Sequence, residues 1–423
     1  MNEDSSSSQQ GSNNNDALLQ GVLSANQLSY RLTPDLSCVV SRTTQSCSFQ
    51  SGGDIAPSSS AQCVLNTGSS FVDLSRSFLV LNVENTGSAA SFGLFGSACN
   101  LIQTVSWTSR SGQVLERTDD ANTMAQLRRK FLYDRNYAAT TLSMYNASST
   151  VDSSSHVPVA WSTGSVQRFM IPLSAFSEFA GSCPILPPQL ASGAMLQLFF
   201  AAPVDALSVA SGDRGYKIKS ARLELSSLVL SDSVTKALSV MSASSGLEVC
   251  ASVISTTRGI RTASAVSLDG SKACSRALQF FYTERPNSTQ ADPSLSIVLN
   301  NTLAVSEYQS RVGNTYYPQS SVRGDSFQQT ACELYARTLA GTGPVERSTG
   351  VSLSGYVNGC FAIAETLERT SCLTSGIPLS GSRLLNVSLS FSGSAASTST
   401  LANLFLKHQI LARCFLSSTV VEL

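Results

Sequence analysis

The sequence predicts an all-β protein of two tandem β-sandwiches, from its composition, from a central run of strand-like segments, and from a series of elements that occurs twice. Charged residues make up 13% of the 423-residue chain, about half the usual ~25%. Ser, Thr, Gly and Asn fill the gap, and such residues with Val suit pleated surfaces and tight turns better than long surface helices. The length also exceeds the roughly 250–300 residues at which single cores stop growing, so two domains are expected.

The central run spans Arg168 to Leu230. Its last segment, Tyr216 to Leu230, alternates apolar and polar residues with two phase changes, predicting one long strand bent by bulges. The nearly continuous apolar run Ala194 to Phe200, bounded by Gly193 and Pro203, predicts a strand covered on both faces.

Residues 1–25, rich in Ser, Gln and Asn with one apolar patch at Leu18-Leu19, predict a flexible N-terminal arm. Phe71 to Glu84 reads as a strand with Leu79, Leu81 and Val83 on one face, and Cys99 to Thr108 as another with Cys99, Leu101, Val105 and Trp107 in phase. Met124, Leu127 and Phe131 then recur at helical spacing behind Asp119 and Asp120, which are expected to cap the helix. Arg128, Arg129 and Lys130 are expected on its solvated face. A Ser/Thr-rich loop runs on to about Val166.

After Ser231-Asp232-Ser233 the pattern starts again. Strands are predicted at Leu247–Ile254, Ala277–Thr283, Leu295–Leu299 and Leu303–Gln309. A helix follows through Phe327, Ala331, Leu334, Tyr335 and Thr338, capped near Asp325 or Ser326 and closed by Gly341. Further strands are expected at Phe361–Leu367, Leu384–Phe391 and Leu404–Leu416.

Each half thus shows a lone helix, a long loop, an Ile-Pro-Leu-Ser tetrapeptide (171–174 and 377–380), a strand after a Gly and a long closing strand. The last two pairs keep an offset of about 190 residues, whereas the tetrapeptides are 206 apart. This ordered series predicts two copies of one sandwich joined near residues 231–245.

Lys plus Arg and Asp plus Glu number 28 each, so no net field draws the chain to nucleic acid or anionic lipid. The longest apolar runs fall far short of the ~20 residues that span a bilayer. Met1-Asn2-Glu3-Asp4-Ser5 lacks the features of a signal peptide, which predicts synthesis in the cytosol or nucleus. Eleven Cys occur without a CxxC pair, as expected of free, mostly buried thiols. Sequons at Asn146, Asn287, Asn300 and Asn386 are read as incidental.

No catalytic, cofactor-binding or metal site is predicted. The two histidines, His156 in a Ser-rich loop and His408 in phase with Leu404, Leu406 and Ile410, have no metal-ligand spacing, and His408 is expected to be a packed strand residue. No nucleophile elbow or phosphate loop is present. Arg323-Gly324-Asp325 spells an integrin-binding tripeptide, but Gly and Asp before a helix are what a turn and cap require.

The Phe71–Glu84 strand with its Asp-Leu-Ser-Arg-Ser entry, Ser97-Ala98-Cys99-Asn100-Leu101-Ile102 leading to Ser111-Gly112-Gln113-Val114-Leu115-Glu116, Ile-Pro-Leu-Ser, Gln309-Ser310-Arg311-Val312-Gly313 and Tyr316-Tyr317-Pro318 resemble double jelly-roll major capsid proteins. These shell proteins occur in adenovirus, tectiviruses, virophages and polinton-like viruses. The resemblance covers residues 65 to 423 and is carried by order and spacing. It implies two eight-stranded jelly rolls, residues 26–235 and 236–423, each with a short helix. It further implies a homotrimeric, pseudo-hexagonal capsomer that tiles an icosahedral virion shell with neighbouring capsomers and minor capsid or penton proteins. Synthesis would be in the host cytoplasm and assembly in cytoplasm or nucleus.

The arm has no basic residue before Arg31, so contact with an internal membrane or separate core layer is expected, and sequence-specific nucleic-acid binding is not. The alternative is a two-domain β-sandwich carbohydrate-binding or adhesin-like module. Against it stand the missing export signal and the unpaired Cys. A β-sandwich glycosidase would need two carboxylates roughly 5–10 Å apart, for which the sparse acids offer no obvious pair.

Overall fold

In the computed structural model the described residues are 39–50, 53–88, 92–94, 97–134, 162–183, 185–209, 213–261, 264–270, 272–286, 305–324, 327–345, 349–357, 361–368, 376–381, 383–392, 400–415 and 418–422. The predicted arm, His156, Asn146, Asn287, Asn300, Asp325, Ser326 and the strand expected at Leu295–Leu299 lie outside them.

Alternating apolar residues build the first half: β1 (Val39–Ser48), β2 (Ser60–Val64), β3 (Phe71–Asn85), β4 (Phe92–Leu94), β5 (Ile102–Thr108), β6 (Val114–Asp119), β7 (Val166–Pro172), β8 (Ile185–Leu186), β9 (Met195–Phe200), β10 (Leu207–Val209) and β11 (Tyr216–Leu230). One sheet has the order β1-β11-β3-β7, with β8 also on β3, and the other β2-β9-β5-β6, while β4 and β10 form a separate ladder. Their inward faces meet: Leu79, Leu81, Val83, Val105, Trp107, Leu196, Leu198, Phe200 and Leu223 are all buried. The two phase changes in β11 are register shifts, at Ile218/Ser220 and Glu224/Ser226, so the predicted bulges are present.

The second half comprises β12 (Leu247–Arg261), β13 (Ala265–Gly270), β14 (Cys274–Pro286), β15 (Val305–Val312), β16 (Thr315–Arg323), β17 (Ile363–Thr366), β18 (Ile377–Leu379), β19 (Leu385–Phe391), β20 (Thr400–Cys414) and β21 (Thr419–Glu422). Its sheets are β12-β20-β14-β17, with β18 on β14 and β21 on β20, and β13-β19-β15-β16. Strand for strand this is the order of the first half. Each half is an eight-stranded antiparallel jelly roll.

The helices that flank or join the sheets include α1 (Ala121–Leu127), continued by a π-helical turn at Arg128–Leu132, α2 (Glu178–Ser182), α3 (Asp232–Ser244) and α4 (Phe327–Thr342). The segment between the jelly rolls, predicted only as a break, is therefore the helix α3, whose sole buried residue is Ser242.

Several expectations need correction. Cys99 to Leu101 form a 3-10 turn, and the strand begins at Ile102. The strand Met195–Phe200 is covered on one face only: Leu196, Leu198 and Phe200 are buried while Gln197 and Phe199 are exposed. Its continuous apolar run reflects one solvent-side aromatic, not two covered faces. The tetrapeptides are not equivalent either. Ile171-Pro172 ends β7, opposite Leu79 and Phe78, whereas Ile377-Pro378-Leu379 forms β18 on β14, the place β8 holds on β3. The repeat stands on strand order, and the shared tetrapeptide is not part of it.

Gly341 does not close α4, which runs to Thr342. A Cβ at Gly341 would lie 2.2 Å from the backbone oxygen of Ala364 on β17, so the glycine permits helix and strand to touch. Helix propensity favours Gly341→Ala by about 1 kcal/mol, but the overlap costs roughly 1–3 kcal/mol and should win. The variant is expected to unfold at lower urea concentration than wild type; a higher midpoint would refute the close-packing account.

Candidate functional site

In a chain predicted to act by packing, the residues that matter are those where one sandwich meets the other. The seam runs along β6, α1 and α2 of the first jelly roll and β12 and β20 of the second. Its apolar part is reciprocal. Ala251, Val253, Ile410, Ala412 and Cys414, on the outer face of the second sandwich, join the apolar cluster of the first. Met124, Leu127 and Phe131 of α1 and its π turn join the cluster of the second, where the Phe131 ring meets Tyr356 edge-on at 6.4 Å. The helical stripe legible in the sequence is thus aimed at the other sandwich.

Backbone groups are matched across the same line. Thr118 Oγ1 donates to Ile254 O at 3.0 Å and Thr256 Oγ1 to Asp119 O at 2.8 Å. Ser182 Oγ accepts from Ser252 N–H at 2.8 Å and donates to Ser252 O at 2.9 Å. At the end of the chain Ser111 Oγ donates to Thr419 O at 3.2 Å and accepts from its N–H at 3.3 Å. Small hydroxyl side chains, abundant in the composition, let two strands approach while satisfying each other's main chain.

Two charged groups lock the seam. Asp120, fully buried, takes Arg258 Nε at 2.6 Å and Arg285 at 3.2 Å, both from the second sandwich. It sits at the head of α1 with φ 53° and makes no side-chain cap, and Asp119 lies in β6, where it accepts from Thr104. The predicted helix caps are therefore a seam anchor and a strand residue. The left-handed backbone, which Asp tolerates better than most residues, is held by the two arginines.

In the second lock, Glu178 joins Arg128 at 2.5 Å and Lys407 of the other sandwich at 2.8 Å. Burial alone would raise the Glu178 carboxyl, but Arg128 and Lys407 hold it below the ordinary range. Arg128, Arg129 and Lys130, expected on a solvated face, are all buried, and Arg128 is bound inside its own sandwich by Glu178 and Ser174 O.

Beneath this lock Glu116 is buried and accepts from Ser177 Oγ at 2.5 Å and from the N–H groups of Glu178 and Phe179. Ser177 in turn accepts from Trp107 Nε1 at 3.0 Å and caps α2. Burial pushes the Glu116 carboxyl up to about 7, against the Ser177 bond and Arg128. His408, opposite Val253 in the ladder, is buried, and burial lowers it to about 4. The expected packed strand residue is what the structure holds.

Among the described residues no group of three His, Cys, Asp or Glu side chains could hold a metal ion, and no helix is long and apolar enough to cross a membrane. Six of the eight described cysteines are buried. Arg323 pairs with Glu307 at 2.7 Å, and Gly324 packs on Gln329 and Thr330. Asn386 Nδ2 donates to Asp269 and Ser267 across the ladder.

Removing the Asp120 carboxylate takes its partner from Arg258 and leaves Arg285 only Asp205, at 3.5 Å, so Asp120→Ala should cost about 3 kcal/mol in denaturant unfolding; a loss below about 1 kcal/mol would remove Asp120 as an anchor. His408 works through pH. Between its unfolded value of 6.5 and about 4, only the unfolded chain takes the proton, so stability falls as pH falls through that window. Relative to wild type, His408→Leu should lose about 3 kcal/mol less between pH 6.5 and 4, and parallel curves would contradict this. Glu116 has the opposite sign, with stability falling as pH rises from 4.5 to about 7.

No family model matches the chain and no curated protein matches it, but solved structures do. The Faustovirus major capsid protein superposes with a TM-score of 0.60 at 9% identity, over 93% of this chain and 94% of that one. PBCV-1 VP54, as fitted into a reconstruction of the virophage Sputnik, gives 0.58 at 10%, over 93% and 99%. The mavirus major capsid protein gives 0.54 at 11%, over 94% and 92%. Two tandem jelly rolls of one strand order, matched over nearly the whole length of these chains, give this protein the double jelly-roll fold of viral major capsid proteins.

Proposed function

We propose that the chain is a viral major capsid protein, structural and without catalysis, that trimerises into pseudo-hexagonal capsomers of an icosahedral shell. The observation that carries this reading is the seam. Inside one chain, β6 at the edge of the first jelly roll covers β12 at the edge of the second. By strand order the counterpart of β6 is β16, and that of β12 is β1. Both counterparts are open: β1 is exposed over most of its length, with Val40 69% exposed, and Tyr316 on β16 is 45% exposed.

Seating β16 of one copy on β1 of the next repeats the internal contact between molecules. Such a head-to-tail contact closes a ring when its rotation allows, and three copies supply six sandwiches in the ring. The unit boundary then falls in α3, with residues 26–235 and 236–423 as the two jelly rolls and 1–25 as the arm. The location is the virion. Minor capsid or penton proteins, and an internal membrane or core layer, are the further partners of this reading.

Light scattering on the purified chain should give three times the chain mass, and electron microscopy of the same peak a six-sided outline. Thr44→Arg on β1 and Ser320→Arg on β16, both at exposed positions, should each keep the melting temperature and shift the mass toward monomer. A wild-type chain that stays monomeric at high concentration would sink the capsid reading and favour the two-domain binding module, for which a glycan screen is the next measurement.

A further inference from the structure

We propose that the space beneath the linker helix α3 is a binding site for a single-chain phospholipid with an anionic head, such as lysophosphatidic acid. The helix follows β11 after Ser231 and is pinned at its C-terminal end, where Ser242 Oγ donates to Cys414 O at 3.1 Å. Ser242 is its sole buried residue. The side chains it turns to the body, Thr235, Leu238 and Ser239, leave two adjoining cavities of about 270 and 320 Å³, with Phe71 and Leu238 lining both. Together they fall in the size range of small-molecule sites, roughly 300–1,000 Å³.

The two cavities differ in chemistry. Arg110, in the turn between β5 and β6, is the one charged group among the described residues that line the first. Its stem lies across Gly193, where an added Cβ would sit 3.0 Å from Arg110 Cγ, so the glycine leaves room for the arginine beside the cavity. A guanidinium there suits a phosphate, which it grips with two parallel N–H groups, and Ser69, Ser192 and Ser418 add hydroxyl donors. Gln189 lines the same cavity, and its buried Oε1 accepts no hydrogen bond from the described residues. A hydroxyl beside the phosphate supplies the donor that such an acceptor needs.

The second cavity is apolar. Phe71, Ile185, Pro187, Leu238, Leu247 and Val249 form most of its wall, and Glu248 at its rim is paired with Arg413 at 3.0 Å. Ile185 is 50% exposed, so laying an acyl chain over this wall removes apolar surface from water. A phosphate, a neighbouring hydroxyl and one acyl chain are the three parts of a lysophosphatidic acid. Free phosphate would use the first cavity alone, and a fatty acid would bring no hydroxyl for Gln189. Every wall belongs to one chain, so binding needs no second copy.

The test titrates the full-length protein with 1-oleoyl lysophosphatidic acid below its critical micelle concentration, by calorimetry and by the alkylation rate of Cys250, which is exposed and lines the apolar cavity. One lipid per chain should bind, slowing alkylation of Cys250 severalfold and leaving that of the exposed Cys332 on α4 unchanged. Arg110→Gln and Leu238→Asp, at positions that are not buried, should keep the melting temperature of the free protein and weaken binding roughly tenfold or more. Arg117→Gln on β6 should leave the affinity unchanged. Lysophosphatidylcholine, and glycerol 3-phosphate without a chain, should each bind roughly tenfold or more weakly. No binding by wild type, wild-type affinity in either cavity variant, equal affinity for lysophosphatidylcholine, an unprotected Cys250, or binding only to micelles or vesicles would each overturn the proposal.

Discussion

The structure depends on reciprocal burial across the seam between its two jelly rolls. Each sandwich has an outer patch that would be an apolar liability if exposed, and each patch is filled by the other: Ala251, Val253 and Ile410 complete the first core, and Met124, Leu127 and Phe131 the second. Neither half can therefore be described as a finished sandwich with a neighbour attached. Asp120 between Arg258 and Arg285, and Glu178 between Arg128 and Lys407, add little net stability, because desolvation offsets most of their attraction. They add register. A slide of one residue along β12 would strand a buried carboxylate, whereas an apolar contact alone would tolerate it.

Strands were legible in the sequence because a sandwich core imposes a period of two on every strand that faces it. Leu79, Leu81 and Val83, or the two bulges of β11, could be read without knowing their partners. The seam was not legible for the same reason. Periodicity says which face of an element is apolar and leaves open what covers it, so the Met124–Phe131 stripe was visible while its docking into the second sandwich was not. Charge was the less dependable guide: Arg128, Arg129 and Lys130 looked like a solvated face, and Asp120 like a cap, because three cations on a turn and an acid before a helix are common in isolation. Only the covering sandwich, through Arg258 and Arg285 on Asp120 and Lys407 on the Arg128–Glu178 pair, makes a lock of these groups.

The two halves show which features a duplication of this kind keeps. Strand order is identical, each half places a helix after its edge strand, β6 or β16, and the auxiliary strands β8 and β18 hold equivalent places. Local sequence is not kept, and the one tetrapeptide shared by both halves occupies different strands in each. A jelly roll constrains where apolar side chains recur, not which short peptides recur. A repeat of this fold is therefore better detected through the ordered spacing of its elements than through motif identity.

The counterpart faces have diverged in a direction that follows from when each is covered. The outer face of β12 and β20 carries Leu247, Val249, Ala251, Val253, Ile410 and Ala412, shut against the first sandwich as soon as the chain folds. On the corresponding face, β1 presents Val40, Arg42, Thr44 and Ser46 and β11 presents Glu224, with Arg42 held by Asp73 and Ser226. Under the proposed assembly this second face must wait in water for another copy, and an apolar surface of that size would collect wrong partners in the interval. A polar face waits at little cost and gains its selectivity from matched hydrogen bonds and charges on contact. The same contact geometry can then be made once by folding, with apolar groups, and again by association, with polar ones.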